Sequence, residues 1–228
     1  TKDDALIVSC SQNGLVTACY PQSAGLNVLV VEKNGWVGGA ATSRELTPGF
    51  LYSNCSYVCS LFRPEIMRDL ELPRFGLQVI SYEGGAVFTR DGDYLANYRD
   101  HDAHRREFAR FSRRDAEAYD RYARDVTRQC RFIQPLLMRT APDPTSLKPR
   151  DVGELMYIAK KFYDLGPSQM ADTLRFWTMS ISEFLDEYFE TDVIKANFSI
   201  SGIIGTALGP MSPGTAYVLL HHLFGEAA

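Results

Sequence analysis

Two rhythms of apolar and polar positions divide the chain. Ala5-Leu6-Ile7-Val8 is a short apolar run, and Val28-Leu29-Val30-Val31 repeats it. Runs of that length between polar turns predict parallel strands buried on both faces. Between them Leu15-Val16-Thr17-Ala18 opens a helix that Gly25 ends. Pro21 removes the amide that would reach the Thr17 carbonyl, so this helix is expected to kink or shorten. Pro48-Gly49-Phe50 closes this first unit, and Pro64 suits the first turn of a further helix. Residues 77–80 and 86–89 read as strands, with Asp91-Gly92 turning the second into 94–98. From about Asp100 the period becomes helical, which divides the chain into 1–99 and 100–228. Ser112-x-x-Asp115 reads as a capping box. Ala116, Tyr119, Ala123, Val126, Cys130 and Ile133 form one apolar stripe behind it. After a proline-containing loop at 140–146, helical patterns return over 152–163, 169–179, 182–189 and 193–200. Ser212-Pro213 reads as the cap and first position of a last helix that Gly225 ends.

Composition narrows the classes. A net charge of −4 and a pI near 5.6 give no footprint for nucleic acid. With 45% hydrophobic and 23% charged residues the chain is globular rather than disordered. No apolar run approaches the roughly 18 residues of a membrane helix. Ten arginines face seven acids between Arg99 and Arg131; interleaved signs favour a solvated face over a phosphate patch. The same reading applies to Asp186, Glu187, Glu190 and Asp192. Five cysteines are odd in number, and Cys55 and Cys59 lack the second pair that a zinc site needs. They fit small core residues in a reducing compartment, cytoplasm or mitochondrial matrix. His221 and His222 sit side by side and point about 100° apart on a helix, so they do not share a metal. No metal site is expected, and no leader peptide is expected in the sequence given.

Candidate chemistry concentrates in the first forty residues. Strand, turn, helix, strand, acid is the layout of a dinucleotide-binding βαβ unit, and Glu32 lies 23 residues after Ser9. That separation suits a carboxylate accepting from ribose hydroxyls. The turn reads S-x-S-x-x-G, with Ser9 and Ser11 where the fingerprint has glycine and only Gly14 retained. After the acid comes Lys33, then the doublet Gly38-Gly39 and Ala40. Adjacent glycines there let the backbone pass close to a diphosphate and present N–H groups to it.

Several longer stretches carry a resemblance. They are Gln12-Asn13-Gly14-Leu15, Val37-Gly38-Gly39-Ala40-Ala41, Pro48-Gly49-Phe50, Cys55-Ser56-Tyr57 and Leu61-Phe62-Arg63-Pro64-Glu65-Ile66. Arg110-Phe111-Ser112-Arg113-Arg114-Asp115-Ala116-Glu117-Ala118-Tyr119 and the run from Ser212 to His222 continue the series. In that order they resemble the N-terminal half of phytoene-desaturase-like FAD-dependent oxidoreductases, and among those the pyridine nucleotide-disulphide oxidoreductase domain-containing subgroup.

The resemblance implies an α/β fold. A Rossmann-like FAD-binding domain with a small β element would span 1–99, followed by a mostly helical, truncated substrate domain over 100–228. It implies an enzyme that passes hydride between flavin and an apolar small molecule. Ser9, Ser11, Asn13, Gly14, Glu32, Lys33, Gly38, Gly39 and Ala40 would bind FAD, with catalytic residues, electron acceptor and oligomeric state unassigned. Departure from the family at Ser9, Ser11 and Pro21 keeps two rivals open, a non-catalytic scaffold and a nicotinamide-dependent reductase. Because family members continue past the matched region, Leu219, Leu220, Leu223 and Phe224 are expected to lack some of their packing partners.

Overall fold

The computed structural model describes residues 2–224. The chain is mixed α/β and forms two compact units, Thr1–Ile80 and Ser81–Ala228.

In the first unit β1 (Ala5–Val8), α1 (Gln12–Ser23) and β2 (Val28–Val31) form the expected βαβ unit, with β1 and β2 parallel and Leu6 opposite Leu29. Helix α1 runs through Pro21 and stops two residues later, and Gly25 at φ 89° turns the chain out. The sheet ends at two strands, so a full doubly wound sheet is not formed among the described residues. Its strands are buried alternately rather than on both faces. One face meets α1, while Leu6 and Val8 on the other are 61% and 75% exposed. A hairpin of β3 (Ser43–Thr47) and β4 (Phe50–Ser53), unexpected from its polar sequence, follows. Then comes α2 (Pro64–Asp69), with proline in its first turn. Residues 77–80 are not a strand: Val79 and Ile80 are exposed and no partner strand pairs with them.

The second unit opens with the hairpin β5 (Gly84–Phe88) and β6 (Tyr94–Tyr98). Leu95 of β6 is fully buried, and the Ala96 amide donates to Glu107 on α3 (His101–Phe111), so this hairpin packs with the helices. α4 (Arg113–Ile133) carries the expected stripe, joined by Tyr122 and Phe132. α5 (Pro149–Thr178) is two helices joined at Gly166, whose φ 74° and ψ 165° suit glycine alone. α6 (Ile181–Asp186), α7 (Asp192–Ile203), α8 (Thr215–Val218) and α9 (Leu220–Leu223) complete the unit.

Three expectations change here. Ser112 caps α4 through the Asp115 amide, but the Asp115 carboxylate does not return to Ser112. It accepts instead from the Glu190 and Thr191 amides at 2.8 and 3.0 Å, capping the start of α7 from a distance. The reciprocal capping box lies at Ser180 and Glu183. The last helix starts at Thr215 behind Gly214 (φ 83°), because the Ser212 hydroxyl is taken by the Gly209 amide; Gly225 lies outside the described residues. Leu219, Leu220 and Phe224 do not lack partners: they are buried in the core with Phe108, Val126, Ile181, Leu185 and Ile194, while Leu223 packs against it partly buried.

Candidate functional site

The nine candidate residues gather around the C-terminal end of β1. Ser9 leaves the strand at φ 140°, a region that glycine occupies freely and other residues rarely. Its amide still bonds the Val31 carbonyl at 3.0 Å, and its hydroxyl accepts from the Ser11 amide at 3.1 Å. Ser11 is the N-cap of α1, with its hydroxyl 3.4 Å from the Gly14 amide. A Cβ on Gly14 would stand 2.1 Å from the Ser9 carbonyl oxygen, so only glycine permits this turn. Asn13 is exposed on the first turn of α1. No acidic residue occupies that turn, so the helix supplies no anion of its own to its positive end.

The glycine doublet closes the other side. Gly38 donates to the Cys10 carbonyl at 2.7 Å and pairs with Ser11 in a parallel bridge. Gly39, at φ 57°, passes so near Ser11 that a Cβ there would lie 2.8 Å from the serine Cβ. Ala40 follows in a short 3-10 turn, Gly39–Ala41.

Glu32, half-buried at the end of β2, ties the pieces together. Its Oε2 accepts from the Cys10 amide at 2.7 Å. Its Oε1 accepts from the Asn34 amide and side chain, both at 2.9 Å. These donors, Asn34 foremost and then Cys10, hold its carboxyl below the ordinary glutamate value of 4.5. Oε1 is thereby filled, and Oε2 has one further lone pair to offer. Lys33 beside it is exposed. Cys10 and Asn34 were missed in the sequence, and no local signal marks them, because a glutamate two residues before an asparagine is not a turn motif.

In the second unit the acids are spent on structure. Asp186 and Asp192 hold Lys195, Glu187 holds Arg175, and Glu190 holds Arg114 and the Ser112 hydroxyl. His222 Nδ1 lies 2.8 Å from the Ser201 hydroxyl, and His221 Nδ1 lies 3.2 Å from the Val218 carbonyl, so the two histidines diverge. Cys10 and Cys130 are buried, but Cys19, Cys55 and Cys59 are exposed rather than core residues. No group of three or more metal-ligating side chains converges among the described residues, and none of their helices is long and apolar enough to cross a membrane.

Against known proteins, the chain is 35% identical over 98% of its length to pyridine nucleotide-disulfide oxidoreductase domain-containing protein 2 of Mus musculus. The chain is a homologue of that protein. The protein of the same name from Rattus norvegicus matches at 34% over the same share, and the chain spans 41% of the length of both. A limonene dehydrogenase subunit of Castellaniella defragrans is 30% identical over 51% of the chain and 21% of its own length. Among solved structures, a triple mutant of putrescine oxidase superposes with a TM-score of 0.54 at 15% identity, covering 96% of this chain and 41% of that one. That likeness is one of fold. No family model matches the chain.

Proposed function

We propose that the chain forms the FAD-binding part of an oxidoreductase that passes hydride between flavin and an apolar small molecule, in the manner of phytoene-desaturase-like enzymes. The observation that carries this reading is the cradle around α1. A helix N-terminus with no acid of its own, two serine hydroxyls, and a Gly38–Gly39 segment against Ser11 converge beside a carboxylate. The donor set fits a diphosphate, since helix N–H groups and hydroxyls donate to phosphate oxygens. Glu32 fits a ribose, because the remaining lone pair of its Oε2 can accept from a sugar hydroxyl. Lys33, Asn13 and Ala40 are assigned to the same cradle in this reading. The names of the relatives, an oxidoreductase domain and a dehydrogenase subunit, agree with this chemistry.

In this reading the flavin supplies the redox step. The residues of 1–99 hold and orient the cofactor, and those of 100–228 surround the substrate and exclude water. The exposed thiols of Cys19, Cys55 and Cys59 fit a reducing compartment, cytoplasm or mitochondrial matrix.

The serines make the reading testable. Ser9 stands in a backbone region that costs a non-glycine residue on the order of 1–3 kcal/mol. Ser9→Gly with Ser11→Gly relieves that strain and clears the approach to the phosphates. Flavin fluorescence quenching with the purified protein should show about tenfold tighter FAD binding in the double variant. Glu32→Gln should weaken it by roughly tenfold. Equal affinities in parent and double variant would remove the strain argument. Absence of flavin from all three proteins would remove the cofactor assignment.

A further inference from the structure

The second unit contains an open groove of about 920 Å³ that the flavin reading does not use. Asp120, Arg124, Thr127 and Arg131 recur at intervals of three and four along one face of α4 and line one side. Lys161 and Leu165 of α5 line the other. Its charges do not balance. Asp120 is already paired with Arg105 at 3.7 Å, and Asp164 with Lys160 at 2.8 Å. Arg128 is taken by Asp125 at 2.5 Å. Arg124 and Arg131 form no ion pair among the described residues, and Lys161 meets only the face of Tyr157 at 5.7 Å. Three cations are thus left to face one cleft.

The floor is apolar. Phe132 packs edge-on against Phe162 at 4.9 Å and lies 5.9 Å from Trp177, with Leu165 beside it in the lining. Before Gly166 helix α5 contributes no buried residue, whereas after it Thr173 and Phe176 are buried. Gly166 and Pro167 interrupt the helical hydrogen bonds between the two parts.

We propose that this groove binds a single amphiphile with an anionic headgroup, carboxylate or phosphate. The headgroup sits among Arg124, Arg131 and Lys161, and the alkyl body lies along Phe132 and Leu165. Charge excess selects the headgroup, and the aromatic floor selects the chain. The site lies within the second unit and does not depend on flavin, so its test stands apart from the FAD titrations.

Trp177 beneath the floor is a built-in reporter. The chain has two tryptophans, and Trp36→Phe leaves Trp177 alone. The probe is monomeric stearate carrying a nitroxide, which quenches nearby tryptophan. Saturable quenching is expected, reversed by dodecyl phosphate but not by the same concentration of inorganic phosphate. The methyl ester of the probe should not saturate. Arg124→Gln with Arg131→Gln and Lys161→Gln should weaken the apparent affinity roughly tenfold or more. Thr127→Glu, which adds an anion mid-groove without removing a cation, should weaken it too. Equal quenching by acid and ester, affinity unchanged in both variants, reversal by inorganic phosphate, or quenching only from anionic vesicles would each overturn the proposal.

Discussion

The two units hold themselves together by different means. In residues 81–228, Leu95, Phe108, Ile181, Leu185, Ile194 and Leu220 are all fully buried, and the aromatic rings of Phe108, Tyr119, Tyr122, Phe189 and Phe198 pack against one another. In residues 1–80 the only buried apolar side chains among those described are Cys10 and Ala18. Leu6, Val8, Leu29 and Val31 stand open on one face of the two-stranded sheet. Helices wrapped around one another can close a core within 148 residues. A two-stranded sheet with one helix covers one face only. The first unit therefore relies on hydrogen bonds for its shape: the β1–β2 ladder, the Gly38–Cys10 bond, and Glu32 bridging Cys10 and Asn34. The candidate cradle is built where burial is least.

With Trp36 in the first unit and Trp177 in the second, each unit can be followed by its own fluorescence during denaturation. The largest contrast is expected from truncating one apolar residue in each. Phe108→Ala should cost about 4 kcal/mol in the transition seen by Trp177, because it opens a cavity among four aromatic neighbours. Val8→Ala should cost under about 1 kcal/mol in the transition seen by Trp36, because that side chain is 75% exposed. Comparable losses would mean that the exposed sheet face is covered in solution.

Asp115→Ala comes next. It removes the acceptor of two amides at the start of α7, and a charged hydrogen bond is worth about 1.5–3 kcal/mol, so a loss of about 3 kcal/mol is expected by urea titration. A much smaller loss would show that water can cap that helix unaided.

A smaller effect is set by pH. Burial among Tyr119, Phe108 and Phe198 holds His104 below the ordinary histidine value of 6.5, opposed by the Tyr98 hydrogen bond and Glu107 and assisted by His101. Its folded pKa is the lower one, so the unfolded chain binds the proton more readily. The contribution is complete above 6.5 and is lost as pH falls through the folded value. The melting temperature of the second unit should therefore fall between pH 7 and 5, and His104→Phe should flatten that slope. An unchanged slope would assign it to other groups.

The smallest effect is in the first unit. Glu32 is also lowered, by the Asn34 and Cys10 amides, so its tie is present above 4.5 and lost as pH falls through its folded value. The protection factor of the Cys10 amide, its exchange rate relative to an unstructured amide at the same pH, should fall below pH 4.5, and Glu32→Gln should remove that fall. A protection factor that ignores pH would mean the ladder alone holds the turn.

Local rules decided several features outright. β1 and β2 fall on the two apolar runs to the residue, since short runs rich in branched aliphatic residues between polar turns favour extended backbone. Gly14 and Gly38–Gly39 were legible as close approaches because a missing Cβ is a constraint that the sequence states directly. Residues 77–80 show the limit of that rule. An apolar run is a strand only if another strand pairs with it, and none does. The hairpin β3–β4 shows the converse, with Arg44 and Glu45 paired to Tyr52 and Leu51 despite their polarity.

What the tertiary structure alone decided are partnerships across long separations. Asp115 looks like the third residue of a capping box, yet its carboxylate serves amides 75 and 76 residues away. Ser112 and Arg114 likewise meet Glu190 across 78 and 76 residues. Periodicity fixes which face of a helix is apolar, because that follows from 3.6 residues per turn. It cannot say which distant backbone donor arrives at that face, because that depends on how whole elements pack. The same holds for the groove: the sequence shows Arg124 and Arg131 on a charged helix, and only the placement of α5 opposite α4 turns them into the wall of a cleft.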